Sequence, residues 1–376
     1  MRVDGKSWRT IWREADGWSV GIIDQSRLPH RFEIKRLTTL EGAAHAIATM
    51  QVRGAPLTGA TAAYGLALAL RHDASDSGLA HARAVLLATR PTAANLKWAL
   101  DDVASVVANL PPAQRAVAAY ARAEEICEAD IATNQAIGLH GVGLLQEIAK
   151  RKRPGEPVNI LTHCNAGWLA TVDRGTATAP IYRAQEQAIP LHVFVDETRP
   201  RNQGAALTAW ELKCQGVPYT VIADNAGGHL MQHGKVDIVL VGADRVASNG
   251  DVANKIGTYL KALAARDNGI PFYVALPSPT IDFSIADGRG IPIEERSGQE
   301  VATISGVTEG GRIETVRIVP EGSPVANPAF DVTPAPLVSG LITERGIIEA
   351  NGAALARAFP ERAAATGNRA VRPAAE

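Results

Sequence analysis

Val236-Asp237-Ile238-Val239-Leu240-Val241-Gly242-Ala243-Asp244 is one of the most apolar stretches of the chain, and it ends on a carboxylate. Its length and its β-branched residues are typical of a strand that is buried on both faces of a sheet. Similar runs, several of them separated by intervals of helix length, occur at Val158–Leu161, His192–Val195, Tyr219–Ile222 and Phe272–Ala275. This alternation predicts an α/β fold in which Asp237–Val241 is one strand of a parallel sheet with crossover helices.

The chain upstream of these runs has a different pattern. Residues 8–37 combine β-forming residues with turn signals, which predicts a small antiparallel sheet. Thr38-Thr39-Leu40-Glu41 fits a capping box at the start of a helix that runs to Met50. Runs rich in Ala, Leu, Arg and Glu then predict further helices at Pro56–Leu70, Thr92–Leu110 and Ala113–His140.

A basic run followed by a turn dipeptide, Lys150-Arg151-Lys152-Arg153-Pro154-Gly155, separates the two patterns. Basic runs occur in nuclear and nucleic-acid-binding signals, but we favour a solvated loop here. The length of 376 residues suggests about two domains. We therefore predict a β-ribbon plus helical domain over residues 1–148, a parallel-sheet catalytic domain over residues 149–350, and a C-terminal helix or tail over residues 351–376.

The composition narrows the classes of partner. Lys and Arg number 38 and Asp and Glu number 39, so the chain has no broad basic field for nucleic acid or an anionic membrane. Three cysteines without a Cys-x-x-Cys pair indicate free thiols in a reducing compartment. The N-terminus lacks the apolar run of a signal peptide, and no apolar stretch reaches the ~20 residues that span a bilayer. We expect a cytoplasmic protein that binds any anionic ligand in a local site.

Polar residues follow the predicted strands at the points where the strands end. Thr162–Gly167, Asp196–Pro200, Ala223–Asn225 and Gly242–Arg245 each come directly after an apolar run. Ligands of open parallel α/β sheets bind beyond the carboxyl ends of the strands. Asp and Asn at such positions also serve as helix N-caps. One such cluster has that simpler explanation, but four together favour a ligand site along this edge of the sheet.

Cys164 is the strongest single candidate for a functional residue. It follows an apolar strand and precedes a loop that we expect to enter a helix, where a thiol has a lowered pKa and is partly a thiolate. The alternative is a buried structural thiol, which is the usual state of a lone cysteine. His163 is adjacent, but neighbouring residues of an extended strand point to opposite faces, so we expect a packing or supporting role for it.

Two charged residues downstream are further candidates. Asp244 ends the apolar run, and an apolar setting favours the protonated form of a carboxyl group and hence a proton donor. The alternatives for Asp244 are a pair with Arg245 or a helix cap. Lys255, in the Gly- and Asn-rich segment 249–257, is a credible ligand for an anion, although a lone lysine is usually a surface charge.

Phosphate-binding features are present without a phosphate loop or a Gly-x-Gly-x-x-Gly fingerprint. In Arg53-Gly54-Ala55-Pro56, the proline suits the first turn of a helix, the glycine allows close approach of the backbone, and the arginine offers a fork for an anion. Arg90-Pro91-Thr92 repeats the arrangement just before another predicted helix. Both arginines come from the helical part, which predicts a ligand between the two domains.

Taken together, these residues resemble the methylthioribose-1-phosphate isomerase family. Its wider relatives include ribose-1,5-bisphosphate isomerase and the regulatory subunits of the translation-initiation guanine-nucleotide exchange factor. The resemblance covers most of residues 1–350, and its motifs, in order, are Arg53–Pro56, Arg90–Leu96, Thr162–Gly167, Glu197–Ala205, Gly242–Arg245, Asn254–Thr258, Pro292–Arg296 and Asn327–Pro334.

The resemblance implies an enzyme of methionine salvage that converts 5-methylthioribose 1-phosphate to 5-methylthioribulose 1-phosphate. It implies a small N-terminal sheet and helical domain on a Rossmann-like domain, a homodimer, and a phosphosugar as the small-molecule partner. Cys164 and Asp244 match the family's catalytic pair, with Asp244 as the proton donor. Substrate contacts match at Arg53, Gly54, Ala55, Arg90, Gln203, Asn254 and Lys255. The chain departs from the family pattern at Leu57-Thr58 and at Ala226–His229.

Three other functions stay open at this point. The first is the same reaction on another 5-substituted ribose 1-phosphate, such as 5-deoxyribose 1-phosphate or ribose 1,5-bisphosphate. The second is a non-catalytic regulatory subunit, against which the retention of Cys164, Asp244 and Lys255 argues. The third is a nucleotide-dependent dehydrogenase, which the missing dinucleotide fingerprint disfavours.

The remaining candidates have structural explanations. The nine histidines show no ligand spacing, so neither a metal nor a cofactor is expected. Side chains expected only to pack in the core are those of Cys127, Cys214, Trp168 and Trp210. Asp196, Glu197 and Asp224 receive no role from the sequence beyond possible support of the site.

Overall fold

The computed structural model describes residues 1–90 and 93–364 of the chain. Pro91 and Thr92, which belong to one predicted helix start, and the end of the predicted C-terminal tail lie outside the described residues. Among the residues that the structure describes, no helix is both long enough and apolar enough to cross a membrane.

The first part of the chain is a small sheet followed by helices. A short hairpin pairs β1 with β2, and an antiparallel sheet of three strands then has the order β3-β4-β5. This sheet confirms the prediction for residues 8–37. The strands are β1 (Arg2–Val3), β2 (Lys6–Ser7), β3 (Ile11–Arg13), β4 (Val20–Ile23) and β5 (Ile34–Leu37).

Five helices follow: α1 (Leu40–Ala48), α2 (Ala55–His72), α3 (Asp76–Thr89), α4 (Ala94–Val107) and α5 (Pro112–Ala149). Four of them lie where the sequence predicts helices, and α3 is an additional helix that the sequence analysis did not predict. The cap of α1 is one residue later than predicted, because the Thr39 side chain, not that of Thr38, accepts the hydrogen bond from the Gly42 amide. Helix α5 is longer than predicted and packs against both α2 and the later helix at Ala179–Glu186. It ends next to the basic turn, where Lys150 and Lys152 form ion pairs with Glu147, Glu156 and Asp237.

A sheet of seven strands forms the centre of the second part, in the order β18-β17-β12-β9-β6-β7-β8. All neighbouring pairs are parallel except β17 with β18. The five strands predicted from apolar runs are all present in it. Its strands are β6 (Val158–Thr162), β7 (Leu191–Asp196), β8 (Tyr219–Ile222), β9 (Ile238–Val241), β12 (Phe272–Ala275), β17 (Gly340–Thr343) and β18 (Gly346–Ile348).

The helices of the second part are α6 (Ala179–Glu186), α7 (Ala209–Gln215), α8 (Ala226–Gln232), α9 (Thr258–Asp267), α10 (Gln299–Ala302) and α11 (Gly352–Ala358). Buried apolar side chains cover both faces of the sheet: Ile160, Val193, Ile238 and Leu240 pack in one cluster, and Leu161, Val239, Val241 and Val274 in another. This two-sided burial explains why the strands are nearly continuous apolar runs, and it confirms the predicted α/β class.

A second sheet was not predicted. It has four strands in the order β13-β10-β11-β16, and only the β10 and β13 pair is parallel. Its strands are β10 (Arg245–Ala247), β11 (Val252–Lys255), β13 (Ile281–Asp282) and β16 (Phe330–Thr333), and a separate exposed hairpin joins β14 (Thr303–Val307) to β15 (Ile313–Arg317). Strand β11 carries Asn254 and Lys255, so part of the Gly- and Asn-rich segment 249–257 is itself a buried strand, which the sequence analysis did not predict.

Candidate active site

One cavity brings the predicted site residues together. It lies where the start of α2 meets the carboxyl ends of β6 and β9, and the space between its walls, including the part open to solvent, is about 620 Å³. All nine residues proposed for catalysis or substrate contact line it: Arg53, Gly54, Ala55, Arg90, Cys164, Gln203, Asp244, Asn254 and Lys255. The cavity therefore lies between the helical part and the sheet edge, which is where we expect the ligand to bind.

Cys164 lies in a loop, residues 163–171, that we call the cysteine loop. Its backbone is in the left-handed region, with φ of 65°, a conformation that is costly for a residue other than glycine and that clusters at functional sites. Buried hydrogen bonds hold it there: the Cys164 amide donates to Thr198 Oγ1 (2.8 Å), and the Cys164 carbonyl accepts from Thr208 Oγ1 (2.7 Å). The loop is thus fixed by specific contacts and not by regular secondary structure.

The prediction of a lowered pKa for Cys164 is wrong. The loop contains only a short 3₁₀ turn, at Trp168–Ala170, so no α-helix begins at the thiol. Burial of Cys164, which is 8% exposed, raises the pKa of the thiol, and nearby Arg53 and Lys255 oppose this only in part. The thiol also faces Gln203 Oε1 at 3.5 Å, which is the contact of a weak S–H donor.

Gln203 is positioned by an irregular helix. It is the residue before a π-helical segment, Gly204–Thr208, that leads into α7, and π-turns of this kind are frequent at functional sites. Gly204 allows the segment to touch the end of β7, since a Cβ there would lie 1.7 Å from the Asp196 carbonyl oxygen. The close approach brings the Gln203 amide to the thiol.

Asp244 follows the end of β9 and lines the same cavity as Cys164. Its amide donates to the Ala253 carbonyl (2.9 Å), which fixes the residue beside strand β11. The next element is strand β10, so Asp244 caps no helix. Arg245 forms an ion pair with Asp282 at 3.2 Å. The side chain of Asp244 is half-buried at the cavity wall.

Lys255 is the most unusual charge in the structure. It is 2% exposed, and its Nζ has no hydrogen-bond partner among the described residues. Burial lowers the pKa of this ammonium group, because a buried charge without a partner is costly. Phe330 presents its ring face at 6.0 Å from Nζ. Neighbouring Asn254 donates to Thr258 Oγ1 (3.0 Å) at the start of α9.

The Arg53–Pro56 segment starts a helix and includes a close backbone approach at its glycine, as predicted. Gly54 has φ of 86° and precedes α2, and a Cβ on it would lie 2.5 Å from the Ala170 carbonyl oxygen. Only glycine therefore allows α2 to start this close to the cysteine loop. Arg53 donates from Nη1 to Asn165 Oδ1 and from Nη2 to the Asn165 carbonyl (2.7 Å). Its guanidinium group forms part of the cavity wall.

Arg90 ends α3 and turns toward the cavity. Its Nη2 lies 3.7 Å from Glu294, and its buried Nε has no hydrogen-bond partner within the described parts of the chain. Burial and the nearby charge of Arg296 lower the pKa of Arg90. This side of the cavity thus has more basic side chains than acidic groups to pair with them.

Arg296 and Phe330 are lining residues that sequence reasoning did not single out. The side chain of Arg296 is 7% exposed, pairs with Glu294 at 3.1 Å and lies over the Phe330 ring at 5.5 Å. Both residues lie in segments that the family resemblance included, which was the only available signal. We refer to Arg90, Lys255 and Arg296 as the cationic wall.

His163 has the supporting place that was predicted. Its Nδ1 lies 2.9 Å from Asp196 Oδ2, and its Nε2 lies 2.8 Å from the Ile256 carbonyl oxygen. It therefore ties β6 to the residue after Lys255. His163, Asp196 and Asp224 are also close enough to share a cation, which their sequence spacing does not reveal, and the Lys261 ammonium group lies among them, 3.2 Å from Asp196 Oδ2.

Asp224 and the remaining aromatic and thiol candidates are structural. Asp224 accepts from the amides of Thr198 and Arg199 (2.7 and 2.8 Å), which supports the residue that holds Cys164. Trp168 is fully buried and packs 6.1 Å from the Trp210 ring, as predicted. Cys127 is buried, whereas Cys214 is half-buried at the edge of the core.

The fold and the site match known proteins over nearly the whole chain. Residues 51–350 match the Initiation factor 2 subunit family (IF-2B). The crystal structure of 5-methylthioribose 1-phosphate isomerase from Pyrococcus horikoshii has 40% sequence identity and a TM-score of 0.81, covering 95% of this chain and 97% of that one. A structure described as translation initiation factor eIF-2B, subunit delta, from A. fulgidus has 36% identity and a TM-score of 0.76, covering 94% and 100%.

The chain therefore belongs to the Initiation factor 2 subunit family. Curated relatives are closer still: methylthioribose-1-phosphate isomerases of Methylocella silvestris and Methylorubrum populi are 65% and 63% identical, covering 97% and 96% of this chain and 100% and 99% of theirs. Within the family the chain is thus an enzyme of the methylthioribose-1-phosphate isomerase group, which confirms the resemblance drawn from its motifs.

Proposed function

We propose that this enzyme converts 5-methylthioribose 1-phosphate to 5-methylthioribulose 1-phosphate in methionine salvage, with Cys164 and Asp244 as its catalytic residues. The names of its closely similar relatives support the reaction. The observation that carries the site assignment is the buried, unpartnered ammonium group of Lys255, which lines one cavity with a thiol and a carboxyl group. A bound phosphate would supply the missing anion.

The phosphate-binding role falls to the start of α2 and the cationic wall. Gly54 and Ala55 are at the N-terminus of an 18-residue helix, where free amides and the helix dipole attract anions. Arg53, Arg90 and Lys255 add fixed positive charge on the same cavity. Arg296 joins them as a fourth cation that faces this side. Gln203 and Asn254 are left to bind hydroxyl groups of the sugar.

The substrate's chemistry explains the need for an acid. An ordinary aldose opens its ring by losing the proton of the anomeric hydroxyl, but in an aldose 1-phosphate that oxygen carries the phosphoryl group. We assign to Asp244 the protonation of the ring oxygen as the bond from C1 to that oxygen breaks. The carboxylate left on Asp244 can then take the proton released from the C2 hydroxyl when it becomes the ketone, so no proton is gained or lost overall.

The hydrogen at C2 must also reach C1, either as a proton carried by Cys164 or as a hydride. Burial raises the pKa of Cys164, so the thiol stays protonated at neutral pH and is a poor base. We therefore favour the hydride shift, with the thiol packed against the reacting carbons in a water-poor cavity. Turnover in D₂O tests this choice: the product should carry no solvent deuterium at C1, and deuterium there would favour the proton route.

The first experiment is an isomerase assay with purified protein and 5-methylthioribose 1-phosphate without added cofactor. We expect turnover, and a higher kcat/KM for this sugar than for 5-deoxyribose 1-phosphate or ribose 1,5-bisphosphate. A higher kcat/KM for one of the other sugars would mean that the substrate carries a different group at its 5-position. Binding of the sugar without conversion would instead support a regulatory subunit of the kind that the eIF-2B relatives represent.

We also propose that the enzyme is a cytoplasmic homodimer. The three cysteines are free, which suits a reducing compartment, and the assembly follows from the family resemblance. Sedimentation velocity should give about twice the mass of the 39.6 kDa chain, and a monomer that is fully active would contradict the dimer.

A further inference from the structure

Glu211, on α7, lies outside the cavity but directly beneath the cysteine loop. It is 0% exposed, and its carboxylate accepts four hydrogen bonds. Oε1 accepts from Asn165 Nδ2 and the Leu169 amide, both at 2.9 Å. Oε2 accepts from the Trp168 amide and the Tyr182 hydroxyl, both at 3.0 Å. Three of these donors belong to the cysteine loop, so one buried side chain determines much of its shape.

The loop is built around this carboxylate at close quarters. A Cβ on Gly167 would lie 1.8 Å from Glu211 Oε2, so only glycine fits there. The contact leaves no room for a water molecule between the loop and α7. Glu211 therefore acts directly on the loop backbone.

Asn165 connects Glu211 to the cavity wall through hydrogen bonds. Its side-chain nitrogen donates to Glu211 Oε1 and to Thr208 Oγ1 (3.1 Å), while its oxygen accepts from Arg53 Nη1. A guanidinium group only donates and a carboxylate only accepts, so the two charged groups allow the amide a single orientation. Arg53, Asn165 and Glu211 form one continuous buried chain that ends at the cavity wall.

We propose that Glu211 is a positioning residue that holds Arg53 in place for the substrate phosphate by fixing the Asn165 amide. The inference rests on the proposed function, because it assumes that Arg53 binds the phosphate. Burial raises the pKa of Glu211 to about 7, while its four donors favour the ionised form. Those donors are the reason that a charge is tolerated at this depth.

The test compares Glu211→Gln with Tyr182→Phe. The glutamine retains the shape but leaves one acceptor oxygen for four donors, so Arg53 should lose its fixed orientation. We expect KM for 5-methylthioribose 1-phosphate, and the inhibition constant of inorganic phosphate, to rise about tenfold with kcat within about twofold, since one weakened charge-assisted contact has this effect. Tyr182→Phe removes one donor and leaves the path to Asn165 intact, so both constants should stay at the wild-type values.

A double-mutant cycle with Arg53→Ala separates positioning from mere stability. If Glu211 acts through Arg53, Glu211→Gln should change KM little in the Arg53→Ala background, which makes the two effects non-additive. Additive effects, or a lowered melting temperature with unchanged KM, would overturn the proposal.

A second variant guards against misfolding. Asn165→Asp keeps an acceptor for Arg53 but places two carboxylates against each other, and it should raise KM in the same way as Glu211→Gln. Normal constants in both variants would contradict the inference. Since wild-type turnover is measured in the same assay, that result leaves the proposed reaction untouched, whereas an inactive wild type would count against the reaction itself.

Discussion

The two sides of the cavity differ in how their buried polar and charged groups are paired. On one side, the cysteine loop is held by satisfied hydrogen bonds: Thr198 and Thr208 bind the backbone of Cys164, and Glu211 accepts four donors. On the other side, the cationic wall places three basic side chains on the cavity, two of them share Glu294, and Lys255 Nζ has no partner in the described structure. The Cys164 backbone and the Glu211 carboxylate on the first side have their partners without a ligand, whereas the Lys255 ammonium group on the second side lacks one until an anion binds.

One side of the cavity therefore fixes the geometry of the site, and the other side supplies affinity for the anion. Fully paired buried groups stabilise the fold and fix geometry. Unpaired buried charge destabilises the free protein, and its favourable interaction appears only when the anion arrives. Substitutions on the two sides should therefore have effects of opposite sign on stability.

The largest effect should come from Asp244, which lies between the two sides. Asp244→Asn keeps the size of the side chain but removes the acidic proton, so we expect kcat to fall about 10²- to 10⁴-fold. Inhibition by inorganic phosphate should change little, because the cationic wall stays intact. Asp282→Asn is the matched control, since Asp282 pairs with Arg245 at 3.2 Å and is also half-buried. A fully active Asp244→Asn enzyme would remove Asp244 from the acid role.

The next largest effect should come from the unpaired lysine. Lys255→Met keeps a long apolar chain and removes the charge, so KM should rise about 100-fold, the value of a strong charge-assisted contact. Without ligand, its melting temperature should equal or exceed that of the wild type, because a buried charge without a partner has gone.

Lys261→Met is the control that makes this result informative. Lys261 is equally buried but pairs with Asp196 and donates to the Asp224 carbonyl. Its replacement should lower the melting temperature, because it leaves Asp196 without its cation. Equal destabilisation by the two substitutions would mean that the two sides of the cavity do not differ as described.

The sequence alone predicts more of the first side than of the second. Apolar runs identify the strands, and the residues after them, Thr162–Gly167 and Gly242–Arg245, reach the cavity as expected. The sequence Arg53–Pro56 has the local pattern of a helix start, and helix α2 does begin there in the structure. These features depend on neighbours in sequence, which is why pattern reasoning finds them.

The rest depends on contacts between distant segments. Lys255 is buried because β11 pairs with β16, which also brings Phe330 to the cavity from 75 positions away. No periodicity marks such short strands. The pKa of Cys164 depends on burial by residues from several elements, and Glu211 appears in sequence as an ordinary helical glutamate. The properties of these three residues depend on burial by distant parts of the chain, and local sequence patterns do not reveal them.

A smaller effect is expected from the hydrogen bonds that hold the cysteine loop. Thr198→Val preserves shape but leaves the Cys164 amide, now 2.8 Å from the Thr198 hydroxyl, without its acceptor. The free energy of unfolding should fall by about 1–3 kcal/mol, as for other buried donors left unsatisfied. Thr61→Val is the matched control, because the hydroxyl of buried Thr61 only adds a bond to a carbonyl within α2. Urea denaturation measures both, and an unchanged Thr198→Val protein would show that the loop does not need this bond.

The smallest and most specific effect concerns the reactivity of Cys164 with iodoacetamide, which only the thiolate attacks. Burial raises the pKa of Cys164, so the fraction of thiolate is low at pH 7 and should keep increasing as the pH rises through 9. The rate of alkylation at Cys164, followed by mass spectrometry, should therefore increase over this whole range. Cys214, whose pKa burial raises to about 11, provides an internal reference in the same protein.

The same measurement tests whether the two sides of the cavity are coupled. Lys255 is one of the two cations that oppose the rise in the pKa of Cys164, so Lys255→Met should raise that pKa further and slow alkylation at every pH below it, by a few-fold. Inorganic phosphate bound to the wild-type wall should act in the same direction, because it neutralises the charge that stabilises the thiolate. A rate that levels off below pH 8 would mean that Cys164 is already ionised and that the hydride route has lost its main physical support. A rate that Lys255→Met does not alter would mean that the two sides of the cavity are not coupled.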